Sequence, residues 1–381
     1  MKIARVTTVP FFLYNHLRGQ ISATVEAGHE VVLVSSDGPE VAWLKEMPGI
    51  RFVQIEIPRK ISPFRDLRAL WQLYLLFRRE RFDIVHSATP KAGMLCAMAG
   101  YLARIPVRLH TFTGQAWAEL HGIMRAVAKA GDKVTAMLDT RCYADSFSQR
   151  DFIASEGIVA KEGIRVLGAG SLAGVDLSRF SPAAWVGSRE AVMQEMNVPP
   201  DHKIITFIGR ITRDKGIEEL VAAFELLQQE GQRCSLLLVG PDEQKDGEST
   251  SRVSLSAIPN IHWLGYCPQP ERYLAATDIF CLPSYREGFG NVVIEAAAMG
   301  VPTVGTDIVG LSDAIVDGET GTLVPPKDSN ALARALRCLL EDDELQKVMG
   351  KNAYSRTIDL FDAKKVNAAV LEEYQRLWQA Q

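Results

Sequence analysis

The sequence lacks several patterns that define large protein classes. Its six cysteines (Cys96, Cys142, Cys234, Cys267, Cys281 and Cys338) never form a CxxC pair, so neither a zinc site nor a disulfide framework is expected. No stretch reaches the roughly 18 uninterrupted apolar residues of a membrane span. The opening MKIARV enters a predicted strand at once and is too short for a signal-peptide core. We therefore expect reduced thiols, a cytoplasmic location and only peripheral membrane contact.

A dinucleotide fingerprint is also missing. No GxGxxG follows the first predicted strand, which argues against a dinucleotide-dependent oxidoreductase. What is present is the composition of a globular protein: 381 residues, 47% of them hydrophobic and 23% charged. That length and apolar content suffice for two ordinary cores.

Charge is divided unevenly along the chain. Residues 1–170 contain 22 Lys and Arg against 16 Asp and Glu, whereas the remainder contains 20 against 30, giving the net charge of −4. A basic first half beside an acidic second half suggests different partners for each, and ordinary surface variation is the alternative.

The hydrophobic pattern predicts an α/β protein. Short β-branched runs alternate with helical periods, which is typical of parallel sheets covered by helices. The predicted strands lie in KIARVTTV, HEVVLVSS, RFVQIEI, FDIVHSA and VRLHTFT, then in KIITFIGR, CSLLLVG, IHWLGY, DIFCLPS, PTVGTD and GTLVPP. The predicted helices include residues 15–27, 64–80, 216–229, 291–299 and 361–379.

Between these two series lies a linker. Residues 170–185, GSLAGVDLSRFSPAAW, are rich in Gly, Ser and Pro and show no period. We predict a Rossmann-like domain over 1–180 and a second over 190–360, with a ligand between them at the carboxyl ends of the strands.

The strongest chemical signal is REGFGNVVIEAAAMGVPTVGTDIVG, residues 286–310. Glu287 precedes a glycine turn, and a helix is predicted from about Asn291, so free backbone N–H groups face a close-lying ligand. Glu295, eight residues after Glu287, could accept hydrogen bonds from vicinal hydroxyls. The alternative is a capping Glu followed by a solvated one.

A second signal is FIGRITRDKGIEELVAAF, residues 207–224. Arg210 and Lys215 lie in the loop after a predicted strand ending at Gly209, beside the start of a helix. Two cations at a helix N-terminus suit a diphosphate. A solvated basic loop is the alternative.

With these motifs the sequence resembles the retaining glycosyltransferases of the GT-B fold, family 4, over nearly the whole chain and most specifically over 207–330. The resemblance implies two Rossmann-like domains facing a cleft, with residues 361–381 returning to the first. It implies that Glu287 contacts the donor sugar and Glu295 the ribose. Arg210 and Lys215 would neutralise the donor diphosphate, and no DxD carboxylate pair is present to hold a metal.

The resemblance also implies further donor contacts. These are backbone groups of the glycine turn and the following helix start, and the segment HWLGYCP near the nucleobase: Gly209, Gly288, Phe289, Gly290, Asn291, Val292, Trp263 and Leu264. Core packing is an equal alternative for Trp263. No cofactor is expected beyond the nucleotide sugar itself, which we expect to be UDP-linked.

The first domain is expected to supply the acceptor side. Family members often carry a His after the strand matched by PVRLHTFTG, where His110 lies three residues before the usual position. A buried core histidine is the alternative. Gln115 and Trp117 follow in the same loop. The family's Gly-Gly pair in the first loop is replaced here by TTVPFFLYNHLRG, which makes Phe11 and Arg18 acceptor-side candidates.

Residues 59–81 contain seven basic residues and an apolar set at helical spacing, Phe64, Leu67, Leu70, Trp71, Tyr74 and Phe77. This helix either packs on the sheet or rests on an anionic bilayer. The segment from Lys91 onward looks most like enzymes of surface-polysaccharide assembly that use undecaprenyl-diphosphate-linked acceptors.

The resulting hypothesis is a retaining, metal-independent glycosyltransferase. It would move an N-acetylated hexose or deoxyhexose from a UDP-sugar to a lipid-linked sugar, on the inner face of the cytoplasmic membrane and without a nucleic-acid partner. A nucleotide-sugar 2-epimerase of the same fold and a non-catalytic sugar-nucleotide-binding subunit are the alternatives.

Overall fold

A computed structural model describes residues 1–59, 61–242, 255 and 258–381. By their contacts these residues form two compact units, Met1–Gly174 with Ala363–Gln381, and Val175–Asp362. The division falls inside the Gly- and Ser-rich segment 170–185. Each unit contains one parallel sheet covered by helices.

The first sheet has the strand order β3-β2-β1-β4-β5-β6-β7. Its strands are β1 Lys2–Val6, β2 Glu30–Ser35, β3 Ile50–Gln54, β4 Ile84–Ala88, β5 Val107–Phe112, β6 Arg141–Ala144 and β7 Ile164–Arg165. All neighbouring pairs are parallel. The first five were predicted, whereas the last two, of four and two residues, are too short to show a period.

The second sheet has the order β10-β9-β8-β11-β12-β13 and is also parallel. Its strands are β8 Lys203–Ile208, β9 Cys234–Val239, β10 Ile261–Gly265, β11 Ile279–Leu282, β12 Thr303–Thr306 and β13 Gly321–Val324. Each was predicted, because buried parallel strands are near-continuous apolar runs.

Helices cover both sheets. They are α1 Pro10–His16, α2 Arg18–Glu26, α3 Val41–Glu46, α4 Pro63–Glu80, α5 Pro90–Leu102, α6 Gly122–Leu138, α7 Phe147–Ser155, α8 Ser188–Met196, α9 Ile217–Gln229, α10 Glu271–Leu274, α11 Asn291–Ala298, α12 Leu311–Ala314, α13 Ser329–Glu341, α14 Asp343–Leu360 and α15 Ala363–Gln379. Within the described ranges, no helix is both long and apolar enough to cross a membrane.

The predicted single helix over 15–27 is wrong. The chain instead forms α1 and α2, separated at Leu17, whose φ of −113° and ψ of −3° leave the helical path. Pro10 stands at the first position of α1, where a fixed φ and a missing N–H favour helix initiation. The break also buries Leu17 beside Leu13 and Ile21.

The C-terminal helix α15 packs on the first sheet, as the resemblance implied. Val370, Tyr374 and Leu377 share a buried apolar cluster with strand residues such as Ile3 and Ile84. Glu373 also accepts a hydrogen bond from the Tyr143 hydroxyl, at 2.6 Å. The last 19 residues are therefore part of the first core.

A buried polar network fixes this helix. Arg5 on β1 donates to the Tyr374 hydroxyl and to His86 Nδ1, the latter at 3.2 Å. His86 Nδ1 and the Tyr374 oxygen are 2.7 Å apart, and His86 Nε2 lies 2.8 Å from Thr111 Oγ1. Burial, and then the charge of Arg5, hold the pKa of His86 well below its usual value. The ring is therefore neutral, with Nδ1 accepting and Nε2 donating.

We expect Tyr374→Phe to destabilise the first unit by about 1–3 kcal/mol, because it leaves buried Arg5 and His86 short of a partner. Urea denaturation followed by circular dichroism measures this, with separate transitions fitted if the two units unfold separately. Tyr354→Phe, at an exposed tyrosine of α14, is the matched control. Equal losses in both variants would contradict the role given to the network.

Candidate functional site

The second sheet reverses its strand order next to β8. From β8 the chain proceeds to β9 on one side, while β11 pairs with β8 on the other. The loops after β8 and β11, residues 209–216 and 283–290, therefore leave neighbouring strands at the same edge. Such a switch point opens a crevice at the carboxyl ends of the strands, where ligands of α/β sheets bind.

Two glycines allow close backbone approaches at these loops. Gly216, with φ of 68°, precedes α9, and a Cβ there would lie 2.0 Å from the Pro283 carbonyl oxygen. Gly310, with φ of 93°, lies behind the second loop, where a Cβ would be 2.7 Å from the Gly288 oxygen. Both need a backbone conformation that L-residues rarely adopt and a space with no room for a side chain.

The two loops are joined by an ion pair. Lys215 Nζ donates to Glu287 Oε1 at 2.5 Å, and the Ser284 hydroxyl donates to the same oxygen at 2.7 Å. Both charged side chains are largely buried. The structure thus brings together Lys215 and Glu287, which lie 72 residues apart in sequence.

A second charged group lies beside this pair. Asp214 Oδ2 is 4.0 Å from Arg210 and 3.6 Å from Arg286. Burial favours a raised pKa for Asp214, but a hydrogen bond and the three nearby cations outweigh it and lower the pKa. Three cations thus face two carboxylates, an excess of positive charge that suits an anion.

Glu295 lies on α11, in a different environment. Burial, with a smaller opposing contribution from Arg179 and a reinforcing one from Glu271, raises the pKa of Glu295 to about 7. The Arg179 guanidinium forms an ion pair with both carboxylate oxygens of Glu271, at 2.9 and 3.1 Å. Glu295 is therefore close to half protonated near neutral pH, and a ligand that donates hydrogen bonds to it would favour the ionised form.

The glycine turn before α11 presents backbone, while its aromatic side chain points into the core. Phe289 is buried and packs edge-on against Phe361, with ring centroids 5.2 Å apart. Gly290 has φ of 88° and lies against Leu311. Asn291 and Val292 open the helix and are partly exposed. Any ligand contact of Phe289 is thus through its main chain.

Trp263 packs against the ends of two neighbouring strands. Its indole N–H donates to the Gly240 carbonyl at 3.0 Å, and a Cβ on Gly240 would lie 1.7 Å from the Gly209 oxygen. Leu264 is partly buried against the apolar cluster under β9. Gly209 and Trp263 therefore lie together at the edge that carries the charged loops.

His110 does not lie at a strand end. It is an interior residue of β5, fully buried, 2.9 Å from the Ser87 hydroxyl and edge-on to Phe112. Gly93 of α5 lies so close that a Cβ there would be 2.4 Å from the ring. Burial lowers the pKa of His110 to about 3, which makes the ring neutral. This placement favours the buried core histidine over contact with a donor.

Trp117 and Gln115 are also interior. The Trp117 indole donates to Asp132 Oδ2 at 2.6 Å and stacks on Phe152, with centroids 5.6 Å apart. Gln115 is buried, and its Nε2 atom has no hydrogen-bond partner. The expectation that Trp117 offers its side chain to an acceptor is therefore wrong, because the indole is enclosed by its own loop and α7.

Phe11 and Arg18 remain accessible on the first unit. Phe11 on α1 is exposed and lies 5.9 Å, centroid to centroid, from the His16 ring. The Arg18 guanidinium lies over the Tyr14 ring and donates to its hydroxyl at 3.3 Å. α1 begins four residues after β1 ends, so this group follows the carboxyl end of a central strand.

Asp214, Ser284 and Arg286 were not singled out from the sequence. Asp214 stands beside Lys215, and Arg286 beside Glu287, so charge clustering around the motifs was the available signal. The contact between Asp214 and Arg286 joins the two loops and depends on strand order, which no local pattern reveals, whereas Ser284 contacts Glu287 within one loop. Among the described residues, no group of three or more His, Cys, Asp or Glu side chains could hold a metal ion.

Two family models match the chain. The one described as "Glycosyl transferases group 1" matches residues 188–356, and the one described as "Glycosyl transferase 4-like domain" matches residues 15–170.

Named relatives extend over most of the sequence. The chain is 31% identical over 349 residues to a capsular polysaccharide biosynthesis glycosyltransferase, CapM, of Staphylococcus aureus, covering 91% of this chain and 90% of that protein. It is 25% identical over 338 residues to the UDP-Gal:alpha-D-GlcNAc-diphosphoundecaprenol alpha-1,3-galactosyltransferase of Escherichia coli, covering 88% and 85%.

Solved structures share the fold. A sucrose-phosphate synthase from Thermosynechococcus elongatus superposes with a TM-score of 0.82 at 23% identity, covering 100% of both chains. At that identity the likeness concerns architecture.

We expect Gly216→Ala to destabilise the second unit by about 2–4 kcal/mol, combining the left-handed backbone with a clash against Pro283. Gly231→Ala is the control, since Gly231 has φ of 81° with open space around it, and should lose only about 1 kcal/mol. Thermal and urea unfolding compare the two. Similar losses of unfolding free energy in the two variants would show that the close approach of the loops contributes nothing to the stability of the second unit.

Proposed function

Because the chain belongs to the family 4 glycosyltransferases of the GT-B fold and therefore transfers sugars, we propose that its donor is a UDP-sugar and its acceptor a polyprenyl-diphosphate-linked sugar. We further propose that transfer retains the anomeric configuration and needs no metal. The observation that carries the proposal is the meeting of Lys215 and Glu287 at the switch point of the second sheet.

The donor diphosphate would bind between the loops after β8 and β11. Arg210, Lys215 and Arg286 exceed Asp214 and Glu287 by one positive charge, and a diphosphate supplies the missing anion. On binding, Lys215 exchanges its contact with Glu287 for a phosphate oxygen. These cations then offset the charge that develops on the leaving group, the task that a divalent ion performs elsewhere.

Released from Lys215, Glu287 can accept hydrogen bonds from hydroxyls of the donor sugar. Ser284 still donates to it and keeps its orientation fixed. The N–H groups at the start of α11, from Gly290 to Val292, face the same edge and add partial positive charge. Glu295, one turn further along α11, is the proposed acceptor for the two ribose hydroxyls.

Transfer of the sugar proceeds in a single step. The acceptor hydroxyl oxygen forms a bond to the anomeric carbon while the bond from that carbon to the phosphate oxygen breaks. Attack occurs on the face that the diphosphate leaves, and the hydroxyl proton passes to the departing phosphate oxygen. His110 takes no part as a base, since it is enclosed in the core and burial lowers its pKa to about 3, which makes the ring a weak base.

Two observations support a lipid-linked acceptor. The E. coli relative is named for a diphosphoundecaprenol acceptor, and the first unit presents Phe11 on α1 and Arg18 at the start of α2, after the carboxyl end of β1. An apolar side chain and a cation in this segment suit a prenyl chain that carries a diphosphate. We therefore place the enzyme at the inner face of the cytoplasmic membrane.

We expect Lys215→Ala to lower kcat by about 100- to 1,000-fold, because it removes a charge that acts on the leaving group. The protein should remain folded though less stable, since Glu287 loses one partner and keeps the hydrogen bond from the Ser284 hydroxyl. Steady-state transfer assays measure the loss. Lys351→Ala, at an exposed lysine of α14, should leave activity unchanged. Near-normal transfer by Lys215→Ala would remove the diphosphate assignment.

The affinity for a UDP-sugar should depend on pH through Glu295. Its raised pKa of about 7 means that the carboxyl is protonated at lower pH in the free protein, whereas ribose hydroxyls bind the ionised form. We expect the dissociation constant to rise up to about tenfold for each pH unit below 7. Calorimetry at pH 5.5 to 8 measures it with a UDP-sugar, whose phosphodiester groups do not titrate in that range.

Glu295→Gln should bind more weakly and lose this pH dependence, while Glu225→Gln on the exposed side of α9 should keep it. A flat profile in the unaltered protein would exclude Glu295 as the titrating ribose contact.

The reaction class is tested by mass spectrometry of a panel of nucleotide sugars, each incubated with and without a lipid-diphosphate-sugar acceptor. Acceptor-dependent release of UDP with a lengthened lipid-linked sugar supports the proposal. Release of UDP and an epimerised free sugar without acceptor would instead indicate a 2-epimerase. Absence of turnover across the panel would indicate a binding subunit.

A further inference from the structure

Three helices cover one face of the first sheet side by side. α5 packs against α4 on one flank and against α6 on the other. They follow the carboxyl ends of β3, β4 and β5 respectively, so their N-termini lie at the same edge of the sheet. The outward face of this layer of helices is unusual for a solvent-exposed surface in both its apolar and its basic side chains.

α6 carries large apolar side chains on its outward face, while Ala128 and Ala136 pack inward on the core. Its fully buried residues are Asp132 and Thr135, both polar. Asp132 is bound by the Trp117 indole, and the Thr135 hydroxyl donates to the Gly131 carbonyl at 2.9 Å. Outward lie Ile123 and Met137, whose side chains are 81% and 80% exposed. Surface helices of globular proteins place their apolar stripe against the core instead.

α4 is apolar on two sides. Leu73 and Phe77 pack on the sheet, which is one of the two arrangements expected for this helix. Phe64, Leu67 and Trp71 do not, because they form a separate outward stripe in which Phe64 is 90% exposed. Met94 and Met98 lie at the corresponding partly exposed positions of α5. The apolar surface thus continues from α4 across α5 to α6.

The layer is also strongly basic. The three helices contain eight Lys and Arg against three Asp and Glu. Each acid is already engaged: Asp132 is buried, Asp66 pairs with Lys91 at 2.8 Å, and Glu80 pairs with Lys2 and Arg51. Arg65, Arg68, Arg78 and Arg79 are exposed along α4.

We infer that the outward face of α4, α5 and α6 rests on an anionic lipid bilayer, with Phe64 and Ile123 among the residues that enter the interface. Apolar side chains reach the acyl boundary while arginines beside them meet lipid phosphates. A second copy of this chain is a poorer occupant, since a symmetric dimer would press two basic faces together. This inference deepens the proposed function, because it supplies the surface on which a lipid-linked acceptor would lie.

The test is sedimentation of the full chain with vesicles. We expect binding to vesicles of phosphatidylcholine with 30% phosphatidylglycerol and little binding to phosphatidylcholine alone. Raising the salt concentration should weaken binding, because screening acts on the arginines. No sedimentation of the unaltered protein with the anionic vesicles would overturn the inference.

Substitutions locate the surface. Phe64→Asp and Ile123→Asp should each lower the apparent vesicle association constant by about tenfold, since each removes an inserted side chain and adds a repelled charge. Val186→Asp is the matched control, because Val186 is 87% exposed on the other unit, and it should bind like the unaltered protein. Equal losses of vesicle affinity in all three variants would show that another face of the protein contacts lipid.

Light scattering at several protein concentrations tests whether a second copy of this chain covers this face instead of lipid. A dimer that Phe64→Asp and Ile123→Asp both dissociate, with vesicle binding unaltered, would overturn the assignment to lipid. Transfer to a short-chain, water-soluble acceptor separates this inference from the proposed function, and both variants should retain it. Vesicle binding without any transfer would contradict the proposed function alone, and transfer without vesicle binding would contradict the surface alone.

Discussion

The ion pair between Lys215 and Glu287 is the contact on which the candidate site depends. Each residue stands at the end of a loop that leaves one of two adjacent strands, β8 and β11, so the pair can form only with the strand order of this sheet. Its burial makes the attraction stronger than at a surface, and makes either charge costly to leave alone. A bound anion that displaces the pair must therefore satisfy both partners, which the proposed sugar diphosphate would do with phosphate oxygens and sugar hydroxyls.

The same arrangement explains why glycine recurs at positions with no chemistry of their own. Gly216 and Gly310 each stand where a backbone carbonyl of another segment comes closer than a methyl group permits. At Gly216 the loop after β8 approaches the loop after β11, and at Gly310 the segment after β12 approaches that second loop. These approaches help set the reach of Lys215 toward Glu287. Local conformation and long-range charge pairing thus support each other, as expected for a site held on a rigid sheet.

Sequence patterns predicted the second unit more completely than the first. Most of its strands are apolar runs, and its charged residues lie beside glycine turns, so the sheet could be predicted and the candidate site could be put forward as a hypothesis. In the first unit His110 and Trp117 were assigned by their distance from a predicted strand end. Both are buried, because the strand continues past His110 and the loop after it folds inward on Asp132. α6 was not among the helices named from the sequence, and its fully buried residues, Asp132 and Thr135, are polar while its most exposed ones are apolar.

The polar contact that anchors α6 has an energetic consequence. Burial raises the pKa of Asp132 to about 6, with the Trp117 hydrogen bond opposing the shift, so burying Asp132 stabilises the helix less than burying a leucine would. In water, the exposed side chains of Ile123 and Met137 add no stabilisation that would offset the cost of burying Asp132. Contact with a bilayer, as inferred above, would supply it, because their apolar area is then removed from solvent. Stabilisation of α6 on lipid would in turn suit the lipid-linked acceptor proposed for this enzyme.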